Sequence, residues 1–214
     1  MNNNVNFQKN LLNELELIKK QSKKPTLLLH VCCCPCFLIP FEILKDYFEI
    51  SIFYYNPNIY PESEYLRRKN ELLTYLKQNK IDEIKFIECK YNFDEFLKKI
   101  EPFKNEKEGH NRCRVCFKER LTYAYQYACS NNFDYISTVM TISRYKNSND
   151  INEIGLNLQK EFNNKTKWLV ADFKKNNGYE KELVLIKKLG LYFQEYCGCK
   201  YSYQAYLEKK NKHL

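Results

Sequence analysis

The sequence predicts an α/β protein, a parallel sheet with helices packed on its faces. Short continuous apolar runs, such as Thr26 to Val31 and Ile50 to Tyr55, alternate with longer segments whose apolar residues recur at helical spacing. The runs are unbroken rather than alternating apolar and polar, the mark of strands covered on both faces. With 214 residues the chain suits one well-buried domain, and it shows no internal repeat, low-complexity tail or interdomain linker.

In order along the chain, Leu11, Leu12, Leu15 and Ile18 define an amphipathic helix over 5–21. Pro25 ends the connection to a first strand, Thr26 to Val31. A cysteine-rich turn follows, with Pro35 suited to a helix start and helical spacing from Phe37 to Tyr47. The second strand, Ile50 to Tyr55, stops at Asn56-Pro57-Asn58, and Pro61 opens a long helix to about Gln78. A third strand is expected at Ile84 to Cys89 and a short helix at Phe93 to Ile100. The polar stretch 101–112 is a loop leading into a helix that starts at Cys113 and runs to about Ser130. Asp134 to Met140 is a fourth strand, 141–148 a polar loop, and 150–162 a helix. A short fifth strand at Trp168 to Ala171 precedes a turn at Asn176-Asn177-Gly178 and a helix from Lys181 to Leu189, stopped by Gly190. The chain ends in a short polar helix after Cys197-Gly198-Cys199.

Composition bounds the function. Hydrophobic residues at 44% and charged residues at 29% describe an ordinary globular protein, and no apolar run reaches the length of a bilayer span. The first twenty residues carry no apolar core region or cleavage site, so a cytosolic location is expected. Ten cysteines in that compartment point to metal binding or redox chemistry rather than to disulfides. A formal charge of +9 favours a polyanionic partner such as RNA, although the lysines are spread out rather than clustered. The 18 tyrosines suit base stacking and ordinary packing equally well.

The chemistry concentrates in three cysteine motifs. In LLLHVCCCPC, four thiols fall within five residues at a strand end, where ligands gather in parallel sheets. Clustered free thiols are a redox hazard unless something holds them. Cys32 and Cys33 can converge on one centre only if the chain turns there, and Cys34-Pro35 supplies a turn. Cys36 and the Cys113-x-x-Cys116 pair sit at helix starts, where the dipole favours thiolate. Gly198 permits a backbone angle that aims Cys197 and Cys199 the same way. Four of these thiols, Cys113, Cys116, Cys197 and Cys199, suffice for a structural zinc site, which leaves Cys32, Cys33 and Cys36 unexplained. Seven suit a four-thiolate iron–sulfur cluster with a neighbouring metal on the other three. Zinc and metal-free dithiol chemistry stay open on spacing alone. Cys89, Cys129 and His30 read as core residues. No glycine occurs between Leu27 and Cys36, so this turn is not an ATP phosphate loop.

The segments HVCCCPC, YYNPNIYPESEYLRR, RCRVCFKERL, SRYKN, ADFKK and LGLYFQEYCGCKYS together resemble the QueH-type epoxyqueuosine reductases, from about Leu27 to Ser202 and in family order. The resemblance implies the adenine nucleotide alpha-hydrolase (HUP-like) type of α/β fold. It implies a cobalamin-independent reduction of the epoxide of epoxyqueuosine, at the wobble position of tRNA, to the alkene of queuosine. It further implies a 4Fe-4S cluster beside one metal ion, iron, held by Cys32, Cys33, Cys36, Cys113, Cys116, Cys197 and Cys199, without saying which four hold the cluster. A single domain over 1–214 is expected, with the segment from about 172 closing over the metals. Partners are tRNA bearing epoxyqueuosine and an external electron donor.

Several positions depart from the family pattern. Cys34 stands where a small residue is common, Arg144 where proline is expected, and Phe193 where arginine is common. The stretch after Asp172 is rearranged. All of these spare the seven thiols. For the reaction, Asp172 or Tyr145 is expected to supply protons, although Asp172 equally fits a helix cap. Arg67, Arg68, Arg112, Arg144 and Lys146 are candidates for tRNA phosphate contacts. Asn56, Asn58 and Tyr60 are candidates to line the substrate pocket. The alternative from another class is a zinc-stabilised RNA-binding protein without catalysis.

Overall fold

A computed structural model describes residues 6–81 and 83–212. Five strands, β1 (Thr26–His30), β2 (Glu49–Tyr54), β3 (Lys85–Glu88), β4 (Tyr135–Thr138) and β5 (Lys167–Trp168), form one sheet. All four pairings are parallel and the strand order is β3-β2-β1-β4-β5. The helices are α1 (Phe7–Ile18), α2 (Cys34–Leu44), α3 (Glu62–Gln78), α4 (Phe93–Ile100), α5 (Asn111–Ser130), α6 (Ser148–Glu161), α7 (Gly178–Leu189) and α8 (Lys200–Asn211). This is the expected α/β class, consistent with the HUP-like type. No helix among the described residues is long and apolar enough to cross a membrane.

Leu27 and Leu29 face one apolar cluster with α1, α2 and α3, and Leu28 faces a second with α5 and α6. Successive residues of β1 therefore bury into opposite layers, as an unbroken apolar strand requires. His30 ties three strand ends together. Its Nε2–H donates to the Tyr55 carbonyl (3.1 Å) and its Nδ1 accepts from the Thr138 hydroxyl (2.8 Å). Burial pushes its pKa down to about 3, so the ring is neutral. A packed core histidine is what the sequence suggested.

The strand order reverses between β1 and β4, which opens a crevice beyond their carboxyl ends. The chain enters it from β1 through Val31 to Cys36. From β4 it enters through a 3-10 turn, Val139–Ile142, where the Thr138 hydroxyl accepts from Met140 N–H at 3.2 Å. That cap ends β4 earlier than the apolar run alone predicts. The fifth strand is shorter than expected for a similar reason, since the Ser137 hydroxyl takes the Leu169 carbonyl at 2.9 Å. In the other direction, α7 begins one turn earlier than Lys181. Gly178 lets it do so, because a Cβ there would stand 1.8 Å from the Phe173 carbonyl oxygen.

Candidate metal centre and active site

Helix α2 starts directly at Cys34, with Cys33 as its extended N-cap residue and Pro35 in its first turn. This strand-to-helix turn brings the Sγ atoms of Cys32, Cys33 and Cys36 within 4.8 Å of one another, with Cys32 and Cys33 at 3.8 Å. Cys34 points elsewhere and is fully buried in the apolar core. Hydrogen bonds from the Cys33 and Cys36 thiols, with Lys146 and Arg120 nearby, hold Cys32 well below an ordinary thiol pKa. Burial keeps Cys33 protonated, and the thiolate of Cys32 does the same to Cys36. The trio thus shares a negative charge that a metal would complete.

The turn is held in place by Asn56. Its Nδ2 donates to the Val31 carbonyl (2.8 Å) and its Oδ1 accepts from Arg120 Nη2 (2.7 Å). Arg120 is on the buried face of α5 with Phe117, Leu121 and Ala124, an apolar stripe in which a charge is the visible anomaly. Asn56, expected to line a substrate pocket, is thus seen as a brace between β1, β2 and α5.

The second group of thiols surrounds a small pocket. Cys113 and Cys116 from the first turns of α5 meet Cys197 and Cys199 there, beside Asn58, Arg112, Arg120 and Tyr201. Gly109 N–H donates to Cys113 Sγ (3.1 Å), and Ser202 N–H to Cys199 Sγ (3.4 Å). Burial pushes Cys116 up to about 11 while Arg120 pulls it down. Burial pushes Cys197 up to about 12 against the pull of Lys146. Asn58 Oδ1 is buried without a hydrogen-bond partner on the wall of this pocket. The Cys197-Gly198-Cys199 turn is anchored by Tyr60, whose N–H donates to the Gly198 carbonyl at 2.8 Å and whose carbonyl accepts from Tyr196 (3.1 Å). Tyr60 acts through its backbone, and its ring packs on Phe93 and Tyr203.

A larger pocket opens on the other side of Cys197. Its walls include Cys36, Tyr145, Lys146, Glu182, Phe193 and Cys197. Tyr145, an expected proton donor, lines this pocket, and Arg144 donates to its hydroxyl (2.6 Å) at the exposed rim. Asp172 is elsewhere, on a separate cavity with Asn6, Gln8 and Ser148. Its carboxylate lies 3.3 Å from Lys174 Nζ, without hydrogen-bond geometry for Oδ1. Asp172 is also no helix cap, since α7 is preceded by Asn177.

The expected phosphate contacts divide. Arg144 and Arg67 are exposed, the latter stacked on Tyr192 at 3.4 Å. Arg68 is buried in an ion pair with Glu64 at 2.6 Å. Arg112 is buried too, with its guanidinium on the Lys104 (2.9 Å) and Glu106 carbonyls and over the Tyr201 ring. Both guanidinium groups, expected at tRNA phosphate, are buried: Arg68 leaves its Nη2 without a partner, and Arg112 spends Nη1 on internal carbonyls. Lys146 is likewise buried; burial opposes its charge, but the thiols of Cys197, Cys32 and Cys36 more than restore it. It stands within electrostatic reach of both thiol groups, Cys197 on one side and Cys32 and Cys36 on the other.

Glu182 is the residue that sequence reasoning misses. Tyr179, Glu182 and Ile186 share one face of α7 and line the larger pocket, a carboxyl on an apolar stripe. Burial and the neighbouring Cys32 thiolate push its pKa up to about 7, against the Cys36 hydrogen bond and Lys146.

Fold and site define a class: a doubly wound α/β protein whose switch-point crevice is walled by thiols in place of a glycine-rich phosphate loop. The family model described as epoxyqueuosine reductase QueH matches residues 27–205. The chain belongs to that family. It is 36% identical over 209 residues to the epoxyqueuosine reductase QueH of Streptococcus pyogenes, covering 94% of this chain and 79% of that protein. It is 37% identical over 186 residues to the protein of the same name from Acinetobacter baylyi (86% and 84% covered). The corresponding protein of Thermotoga maritima is 32% identical over 191 residues (88% and 94% covered).

Proposed function

We propose that this protein reduces the epoxide of epoxyqueuosine in tRNA to the alkene of queuosine, in the cytosol, with electrons from an external donor. The balance is two electrons and two protons taken up, both C–O bonds of the epoxide broken and the oxygen released as water. The observation that carries the proposal is the division of seven thiols into a group of three and a group of four at the switch point, in a chain of this reductase family.

The donor set fits an iron–sulfur centre with an adjacent metal ion. Thiolate ligands suit iron–sulfur clusters and zinc, and seven exceed what either a zinc site or one cluster takes. Cys113, Cys116, Cys197 and Cys199 would hold the cluster, around a pocket with an orphaned Asn58 oxygen on its wall. Cys32, Cys33 and Cys36 would hold the single iron. When bound, the centre would supply single electrons and Lewis acidity toward the epoxide oxygen.

The residues of the chain do the remaining work. Lys146 offsets thiolate charge between the two groups and keeps its ammonium toward the larger pocket, where it stabilises charge developing on the epoxide oxygen. Tyr145 stands at the rim within reach of solvent, so it relays a proton inward. Arg144 and Arg67 meet tRNA phosphates.

The test is anaerobic reconstitution with iron and sulfide, reduction, and addition of tRNA carrying epoxyqueuosine. Brown protein containing iron and sulfide, and queuosine detected by mass spectrometry, are the expected results. A colourless, folded protein holding zinc alone would overturn the proposal.

A further inference from the structure

Glu182 is an odd residue for the wall of a redox pocket. It is 4% exposed, and it is the one carboxyl among the residues that line the larger pocket with Cys36 and Cys197. Every other polar side chain there, at Ser143 to Lys146, Tyr179, Gln194 and Tyr196, can donate a hydrogen bond, and two of them carry positive charge. Among the described residues Glu182 forms no ion pair within 4.0 Å; it is hydrogen-bonded to the Cys36 thiol, with Lys146 acting on it from farther off. A buried carboxyl without an ion pair weakens the fold, and such groups are kept where a ligand completes them.

The chemistry of that ligand follows from the pocket. A lone carboxyl among donors selects the part of a substrate that carries hydrogens on positive or hydroxylated atoms. Epoxyqueuosine has that part beside its epoxide: a secondary ammonium joins the base to a ring bearing two hydroxyls. We propose that Glu182 is a substrate-recognition residue whose carboxylate receives the ammonium and hydroxyl hydrogens of this substituent and so holds the ring against the Cys32/Cys33/Cys36 set. The inference rests on the reductase function proposed above and adds the recognition element to it. The helix explains the placement: α7 starts at Gly178, which sets Tyr179, Glu182 and Ile186 on the face turned to the pocket. Guanosine at the same tRNA position offers neither group, so Glu182 separates substrate from unmodified tRNA.

Two labelled anticodon stem-loops test this with the iron-loaded protein, one carrying queuosine and one guanosine at the modified position. Queuosine keeps the ammonium and hydroxyls and lacks the epoxide, so binding is read without turnover. The wild type should prefer the queuosine RNA by about tenfold or more, the value of a charge-assisted hydrogen bond. Glu182→Gln should reduce that preference to about twofold, leave guanosine RNA binding unchanged, and raise KM about tenfold with a smaller change in kcat. Its iron content should match the wild type and its melting temperature should be equal or higher, because a buried charge is gone. A retained preference in Glu182→Gln overturns the recognition role while leaving the reductase function standing, and so does loss of iron, which would make Glu182 a ligand. A wild-type protein that ignores the modification and yields no queuosine overturns both.

Discussion

Gly198 lies against the guanidinium of Arg68: a Cβ on Gly198 would stand 2.8 Å from Arg68 Nη1 and 3.2 Å from Cζ. Arg68 cannot retreat, being buried and paired to Glu64 at 2.6 Å. Gly198 also has φ +108°, which disfavours any L side chain. Both facts make this turn a rigid mount for Cys197 and Cys199. Gly198→Ala should therefore destabilise the protein by about 1–3 kcal/mol and lower its iron and sulfide content. Thermal melting and metal analysis of the reconstituted protein check this; a variant with full iron and an unchanged melting temperature would refute it.

Asp172 and Lys174 support a further prediction. Lys174 Nζ donates to the carbonyls of Thr141 (2.7 Å) and Lys146 (3.3 Å), and so fixes the loop that carries Tyr145 and Lys146. Asp172 sits beside that ammonium and away from the thiols. Asp172→Asn should leave turnover within about threefold, whereas Lys174→Ala should lower it on the order of tenfold by loosening the loop. Steady-state rates on modified tRNA decide the matter, and a loss of activity in Asp172→Asn that matches loss of Tyr145 would restore Asp172 as an acid.

The contrast shows what a sequence discloses. β1, α3 and α4 are legible because continuous apolar runs, Pro61 and helical spacing are local signals. The thiols of Cys113 and Cys116 at a helix start are legible for the same reason. The roles of Asn56, Arg68 and Arg112 are not, because each is defined by a partner far along the chain: Val31 and Arg120, Gly198, or Tyr201. Asn-Pro-Asn and a lone arginine read alike whether they face a ligand or the interior. Glu182 falls inside the helix expected from Lys181, but a carboxyl among Lys181, Lys187 and Lys188 reads as a solvated charge; only the packing of α7 on the pocket with Cys36 shows it buried.

Acid stability should respond to Glu14. It accepts from Lys167 Nζ (2.6 Å) and the Tyr135 hydroxyl (2.5 Å), joining α1 to the ends of β4 and β5. Burial alone raises its pKa, but these hydrogen bonds outweigh it and leave the carboxyl below 4.5. A depressed carboxyl contributes stability that is present above its unfolded pKa and lost as pH falls through the folded one. Urea midpoints should therefore be higher for wild type than for Glu14→Gln at pH 6, and the gap should close as the pH falls well below 4.5. A gap that widens in acid would contradict the assignment.

The two thiol groups should fail differently. Cys36 belongs with Cys32 and Cys33, all within 4.8 Å, while Cys199 faces the pocket shared with Cys113, Cys116 and Cys197. Cys36→Ala should cost about one iron per chain and keep the visible absorption and sulfide of a cluster held by four other thiolates. Cys199→Ala should bleach the protein and remove most of its sulfide, because three thiolates do not complete a four-cysteine site. Both variants, like Cys33→Ala, should yield no queuosine. Iron, sulfide and absorption together separate the cases in a way that activity cannot. If Cys36→Ala bleaches and Cys199→Ala keeps its colour, the cluster sits on the first cysteine motif and the single metal on the downstream pairs. Lys146, lying between the groups with Cys197, Cys32 and Cys36 all acting on its charge, would then face the cluster across the opposite wall.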